Sequence, residues 1–170
     1  MRGISMNTPS RLPNFSALLA SPPQAIAVLE GSRAYPNIRG IVHFYQTQYG
    51  VLIGAKVSGL PSPQGECESP IFALHLHEGD TCTGNDSDPF ANAGTHFNPQ
   101  NCPHPYHAGD FPPLFGAHGL AFGAALSDRF TLNQAIGKTI ILHGAPDDFT
   151  SQPAGNSGPK IACGVVRKTR

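Results

Sequence analysis

Short apolar runs separated by glycine- and proline-rich turns constrain the fold of this chain more than any other feature. The runs are rich in β-branched and aromatic residues, and several begin or end at glycine, which is typical of β-strands bounded by turns. Helical periodicity is weak, and its best candidate, residues 127–137, could equally be a strand followed by a loop. Seven or eight short strands predict an all-β sandwich or barrel. The runs are AIAVLEG, IRGIVHFYQTQ, GVLIGAKVSGL, IFALHLHEG, HGLAFGAAL, TIILHGA and KIACGVV.

The charge balance excludes some classes of partner. Eleven Lys and Arg residues offset eleven Asp and Glu residues, so the formal net charge is +0. This balance does not indicate binding to nucleic acid or to an anionic membrane. No run of about 18 apolar residues is present, so a transmembrane helix is not predicted. We expect one domain at residues 26–166, preceded by a flexible N-terminal extension (1–25) and followed by a basic tail (167–170).

The start of the sequence and the cysteines point to different compartments. The first residues lack an apolar run long enough for a signal peptide, so a cytoplasmic address is the default, and an extracytoplasmic one applies if the native start has been replaced. Four cysteines are present without a CxxC pair, which disfavours a thiolate zinc site and leaves disulfides as the alternative. Disulfides would be unusual in a reducing cytoplasm.

Histidines carry the chemical signal. His75 and His77 are two residues apart in a predicted strand, so their side chains point to the same face. A long loop at 79–113 follows, in which three histidines and an aspartate fall within 15 residues, at His96, His104, His107 and Asp110. Three imidazoles and one carboxylate suit zinc, and four imidazoles suit copper. A single histidine of this kind is more often solvated and accidental, but the combined pattern makes accident a poor explanation.

At the level of motifs, the chain resembles the copper–zinc superoxide dismutases. The resemblance rests on HLH (75–77), HFNP (96–99), HAGD (107–110), ILHGAPDD (141–148) and GNSGPKIACGV (155–165), and it spans roughly residues 26–166. It implies an eight-stranded antiparallel Greek-key β-barrel, an immunoglobulin-like sandwich, with long metal-binding loops. It also implies an enzyme that converts superoxide to oxygen and hydrogen peroxide by copper(II)/copper(I) cycling, with zinc in a structural role.

The resemblance also implies a role for each residue that matches a family motif. Asp147 would hydrogen-bond one copper-ligand and one zinc-ligand histidine, and Cys82 and Cys163 would form a disulfide. His96 would bridge the two metals and carry a proton during catalysis. The implied copper ligands are His75, His77, His96 and His143, and the implied zinc ligands are His96, His104, His107 and Asp110.

Two of the features that depart from the family pattern concern the metal site directly. Lys160 stands where the family has an arginine that guides superoxide; as a catalytic residue it keeps the charge but lacks the planar donors, which predicts retained but lowered activity. Only Pro105 and Tyr106 separate His104 from His107, which is shorter than the family usually shows.

These departures leave other hypotheses open. One is a copper- and zinc-binding or metal-buffering protein with low dismutase activity, and another is a non-catalytic docking domain, which the complete ligand set disfavours. A second disulfide between Cys67 and Cys102 competes with two free thiols. Superoxide is the expected substrate, and a homodimer is a candidate assembly.

Overall fold

The computed structural model describes residues 13–62, 65 and 70–170. These residues form nine β-strands, two short α-helices and one 3-10 helix, at Ala91–Ala93. No helix of the described part is long and apolar enough to cross a membrane. The helices and strands are α1 (Phe15–Leu19), β1 (Ala25–Gly31), β2 (Arg39–Thr47), β3 (Gly50–Ser58), β4 (Ile71–Phe72), β5 (Leu74–His77), β6 (Leu114–Ala117), β7 (Leu120–Ser127), α2 (Leu132–Ala135), β8 (Thr139–His143) and β9 (Lys160–Lys168).

All strand pairs are antiparallel, and the strands follow one another around a barrel in the order β4-β6-β7-β3-β2-β1-β9-β8-β5. The first and last strands of this order are consecutive in the chain and are separated by Ala73 alone. Segment 71–77 therefore pairs with β6 at one end and with β8 at the other, and it closes the barrel. The prediction of an all-β antiparallel barrel is confirmed, and counting 71–77 as one interrupted strand gives the predicted eight.

The barrel interior is built by alternate residues of each strand, as the period-2 pattern requires. In β1, for example, Ala25, Ala27 and Leu29 are fully buried, whereas Val28 between them is 53% exposed. Equivalent inward positions on the other strands add branched aliphatic residues and Phe44 to one continuous apolar core. Burial of each such large side chain contributes about 1.5–3 kcal/mol.

Strand β5 carries two different faces, and this alternation positions the histidines. Leu74 and Leu76 join the core, so His75 and His77 must point to the outer wall of the barrel. In register, His75 lies opposite Ile141 and His77 lies opposite Thr139 of β8. Three segments approach this wall: the disulfide loop (78–94), the histidine loop (95–113) and the closing loop (144–159).

Some local structure differs from the sequence-based expectation. β6 was not expected as a separate strand, because its four residues follow a Pro-Pro pair at the end of a loop-like stretch. Within the predicted 127–137 region, α2 forms a single turn whose Gln134 side chain accepts a hydrogen bond from the Thr131 N–H. In the segment before β1, α1 lies against the sheet, where the Tyr45 hydroxyl donates to the Leu19 carbonyl oxygen.

Candidate metal centre

Four buried histidines converge on the outer wall of the barrel. His75 and His77 come from β5, His143 ends β8, and His96 opens the histidine loop, where it forms an isolated β-bridge with His77. One ring nitrogen from each lies within 4.8 Å of the others. The structure therefore brings together the four residues that the motifs predicted as copper ligands.

A second cluster is assembled by the histidine loop alone. His96, His104, His107 and Asp110 also place one ligand atom each within 4.8 Å of one another. The Asp110 carboxylate lies 2.7 Å from His96 Nδ1, 3.1 Å from His104 Nδ1 and 3.3 Å from His107 Nδ1. The Nδ1 atoms of three histidines thus face one carboxylate, and His96 belongs to both clusters.

Asp147 of the closing loop joins the two clusters from behind. Its Oδ2 accepts a hydrogen bond from His75 Nε2 at 2.8 Å, and its Oδ1 accepts one from His104 Nε2 at 2.9 Å. Metal-bound imidazoles characteristically donate their other ring N–H in this way. The predicted position of this carboxylate, between one histidine of each cluster, is the one that the structure displays.

Backbone carbonyls orient the remaining two histidines of the first cluster. His77 Nδ1 donates to the Gly94 oxygen at 2.8 Å, and His143 Nδ1 donates to the Gly158 oxygen at 3.3 Å. Because a carbonyl oxygen can only accept, these bonds place the ring proton of each histidine on Nδ1. The Nε2 atoms, which lie 3.3 Å apart, are left to present lone pairs to the cluster.

Burial keeps His77 and His143 neutral. It lowers the pKa of His77 well below its ordinary value and, together with the nearby His75, lowers the pKa of His143 to about 3. Burial alone would raise the pKa of Asp147, but hydrogen bonds from His75, the Phe149 N–H and His104 hold this pKa well below its usual range. Neutral imidazoles and an ionised carboxylate are the protonation states that metal binding requires.

Three buried ring nitrogens have no hydrogen-bond partner among the described residues: His75 Nδ1, His96 Nε2 and His104 Nδ1. The first two face the four-histidine cluster. His104 Nδ1 faces the second cluster and makes no hydrogen bond with Asp110, although they are 3.1 Å apart. An unpaired buried polar atom is costly, so atoms of this kind indicate a missing partner. Four imidazoles fit copper, and three imidazoles with one carboxylate fit zinc.

A cavity of about 680 Å³ opens beside the first cluster. His77, His96 and His143 form part of its lining, together with Lys160 at the start of β9, which is paired with His143 across the sheet. Lys160 Nζ donates to Asp88 Oδ2 at 2.7 Å and to the Phe90 carbonyl oxygen at 3.1 Å. The predicted catalytic lysine therefore lies at the cavity wall.

Two side chains that sequence reasoning did not single out support the short turn between His104 and His107. The Gln152 side chain accepts from the His104 N–H at 3.1 Å and donates to its carbonyl oxygen at 2.6 Å. The Arg129 guanidinium donates to the carbonyl oxygens of Pro105 and His107, both at 3.2 Å. Neither residue belongs to a recognisable motif, and their distance from the turn in sequence leaves no local signal.

The predicted disulfide between Cys82 and Cys163 is present and ties the disulfide loop to β9. Around it, Phe90 and Ala93 pack against Ile141 on the outer face of the barrel. Cys102 forms no disulfide with a cysteine of the described ranges. Cys67 lies outside the described residues, so the alternative of a second disulfide stays untested.

Comparison with known proteins agrees with this geometry. The family model described as copper/zinc superoxide dismutase (SODC) matches residues 38–166. Superoxide dismutase (Cu-Zn) 1 of Aquifex aeolicus is 36% identical over 143 residues, which cover 75% of this chain and 79% of that protein. The Legionella pneumophila superoxide dismutase (Cu-Zn) is 34% identical over 140 residues, or 78% of this chain and 80% of that one. The solved Cu/Zn superoxide dismutase from Brucella abortus shares the fold, with a TM-score of 0.68 at 22% identity over 83% of this chain and 98% of that chain. The chain described here belongs to the copper/zinc superoxide dismutase family.

Proposed function

We propose that this protein disproportionates superoxide, with copper held by the four-histidine cluster and zinc held by the three histidines and Asp110. The observation that carries the proposal is the set of orphaned ring nitrogens, His75 Nδ1, His96 Nε2 and His104 Nδ1, which face the two clusters. Two superoxide anions and two protons give one molecule of oxygen and one of hydrogen peroxide. Bound copper would supply the one-electron redox chemistry, and zinc, which has no redox chemistry, would hold the loop.

The residues of the chain would supply guidance, orientation and a proton. Lys160 offers the cavity a positive charge for an anionic substrate. His96 is the best candidate for carrying a proton, because its Nε2 is buried beside the cavity and has no protein partner among the described residues. Asp147 would keep His75 and His104 in one tautomer, with their lone pairs directed at the two metals.

The proposal is tested by loading the protein with both metals and measuring superoxide decay by pulse radiolysis, per mole of bound copper. We expect a second-order rate constant approaching the diffusional ceiling of about 10⁸–10⁹ M⁻¹s⁻¹, lowered by the replacement of arginine with lysine. A rate no better than that of loosely bound copper would contradict the proposal. Metal analysis of the same sample should give one copper and one zinc per chain.

The metal-buffering alternative is not favoured, because the matching family and relatives are named as superoxide dismutases. It nevertheless makes a distinct prediction, namely tight copper binding with turnover close to that of free copper. The same experiment therefore separates the two functions.

Compartment and assembly are proposals of a different kind. The Cys82–Cys163 disulfide supports the extracytoplasmic alternative over the cytoplasmic default, because disulfides persist in oxidising compartments. Fractionation of cells that express the native gene would decide between them.

A homodimer is proposed from the family resemblance alone, and sedimentation velocity over a range of protein concentrations would test it.

A further inference from the structure

Lys160 does not face the cavity as an isolated charge. Its ammonium group is 2.7 Å from the Asp88 carboxylate, and its side chain is only 16% exposed. We propose that Asp88 sets the position and the effective charge of Lys160, and so limits the attraction of anions to the cavity. This inference rests on the proposed function, because it concerns the approach of an anionic substrate to the same site.

Hydrogen bonds within its own loop hold the Asp88 carboxylate in place independently of Lys160. Its Oδ1 accepts from the Phe90 N–H at 3.0 Å, and the Asp88 N–H donates to Asn85 Oδ1, also at 3.0 Å. Asn85 additionally accepts from the N–H and the hydroxyl of Ser87. The turn therefore holds the carboxylate in place, and the flexible lysine side chain is the partner that adapts.

The remainder of the disulfide loop holds this turn against β9. Cys82 is bonded to Cys163, three residues after Lys160, and Phe90 packs against Ile141 and Cys163. The Phe90 carbonyl oxygen also accepts a hydrogen bond from the ammonium group. Asp88 and Lys160 are thus brought together by two segments that are covalently joined nearby.

The charges lining the cavity show what the pairing does. Apart from histidines, the ionisable residues that the described part of the chain contributes to the lining are Lys160, Asp88 and Glu78. One cation faces two carboxylates, so these three side chains together give the cavity no net positive charge, and bound copper and zinc would add their own. Two unit charges about 4 Å apart in water interact by an energy that corresponds to a roughly fivefold change in affinity. Removing the charge of Asp88 should therefore strengthen anion binding measurably.

The experiment measures the affinity of azide, a monovalent anion that binds copper(II), by optical titration of the copper- and zinc-loaded protein. Asp88→Asn keeps the shape of the side chain and removes its charge. Asp86→Asn is the matched control, because Asp86 is an exposed carboxylate of the same loop and does not line the cavity. Lys160→Gln and the double variant Asp88→Asn/Lys160→Gln complete a double-mutant cycle, which measures the coupling between the two side chains.

We expect Asp88→Asn to bind azide about fivefold more tightly than the wild type at low ionic strength, while Asp86→Asn stays close to the wild type. The gain should shrink at about 0.5 M salt, because screening shortens the range of the charges. Lys160→Gln should bind azide more weakly, and the double variant should regain most of the loss. The inference is wrong if Asp88→Asn matches the Asp86 control, or if the double variant binds no better than Lys160→Gln.

A second readout needs no metal and reports the ion pair itself. Lys160 should react faster with acetic anhydride in metal-free Asp88→Asn than in the wild type or in Asp86→Asn, as measured by mass spectrometry. Equal rates would show that the pair does not hold the lysine. If the wild-type protein proves to be no better than free copper with superoxide, the proposed function fails, whereas azide affinity and acetylation still decide the role of Asp88.

Discussion

At the scale of single residues, Asp147 is the point on which both clusters depend. It accepts from His75 Nε2 and His104 Nε2 through separate oxygens, and it is buried. Asp147→Asn leaves a single acceptor oxygen, and its amide group would direct a donor at the other imidazole N–H. We expect metal affinity to fall about 10- to 100-fold, the usual effect of losing such a support. Competition with chelators of known copper and zinc affinity measures the loss.

The control for this variant is Asp128→Asn, since Asp128 is exposed in the turn after β7. It removes the same charge from a side chain that belongs to neither cluster, and its metal affinity should equal that of the wild type. Unchanged affinity in Asp147→Asn would show that the two histidines keep their orientation without the shared carboxylate.

The residues of the two clusters could be predicted from the sequence, whereas the residues that support them could not. His75, His77, His96 and the HAGD segment lie in short motifs whose spacing carries the information. Asp88, Arg129 and Gln152 reach the site through folded loops, and their partners lie 22 to 72 residues away in sequence. A polar residue in a loop has no local pattern that would reveal such a partner.

At the scale of structural elements, Gln152 links the closing loop to the histidine loop. Its side-chain amide pairs with both backbone polar groups of His104, in the manner of one rung of a β-ladder. Gln152→Ala leaves this partly buried peptide unpaired, at a cost of about 1–3 kcal/mol in the metal-bound geometry. We expect zinc affinity to fall about tenfold, with a smaller effect on copper, because His104 belongs only to the second cluster.

Gln48→Ala provides the matched control, because Gln48 is exposed in the turn between β2 and β3. Zinc affinity is measured by competition with a chelator, and zinc-dependent thermal stabilisation gives a second readout. If the two variants bind zinc equally, the short turn is held without Gln152, and Arg129 becomes the principal support.

The disulfide joins elements that are far apart in sequence. Cys82 and Cys163 are separated by 81 residues, and a crosslink closing a loop of that length stabilises the folded state by about 4.5 kcal/mol in the chain-entropy model. We expect Cys82→Ala/Cys163→Ala to lower the free energy of unfolding of the metal-free protein by about that amount, as measured by urea denaturation. Cys102→Ala, at a half-buried thiol, should change it by less than about 1 kcal/mol. Similar losses in both variants would contradict this account.

The strands were largely predictable because each contributes alternate residues to one core. Strand β6 and the break at Ala73 were not predictable from the sequence, and both have the same cause. Ala73 donates its N–H to the Ala145 oxygen and accepts from the His143 N–H, so the strand leaves one neighbour and joins the next at this residue. This change of pairing partner depends on barrel closure. Closure is a property of the whole sheet, so the sequence of residues 71–77 alone does not predict it.

For the molecule as a whole, the buried histidines of the two clusters make the metal-free fold sensitive to acid. In the folded state burial lowers the pKa of His143 to about 3 and that of His77 well below its ordinary value. In the unfolded chain both histidines titrate near 6.5. Between these limits the unfolded state binds protons that the folded state does not, so stability falls as the pH falls. The stability that these neutral histidines contribute is fully present above about pH 6.5.

The carboxylates act in the same direction at lower pH. The pKa values of Asp147 and Asp110 are lowered in the folded state, because hydrogen bonds from histidines outweigh the effect of burial. Their stabilising contribution is present above the ordinary aspartate pKa of 3.8 and disappears as the pH falls through the lowered folded values. Loss of stability between pH 6.5 and 4 therefore belongs to the histidines, and the carboxylates add to it only below that range.

Urea denaturation of metal-free, disulfide-intact protein at pH 7.5, 6.5, 5.5 and 4.5 tests this assignment. We expect little change above pH 6.5 and then a fall of up to about 1.4 kcal/mol per pH unit for each histidine that stays neutral in the fold. His143→Gln should reduce the slope by about one such contribution. His118→Asn, at an exposed turn histidine with a φ of 51°, should leave it unchanged. A slope that is the same in all three proteins would mean that His143 gains a proton without unfolding, and the buried cluster would then have to open locally in acid.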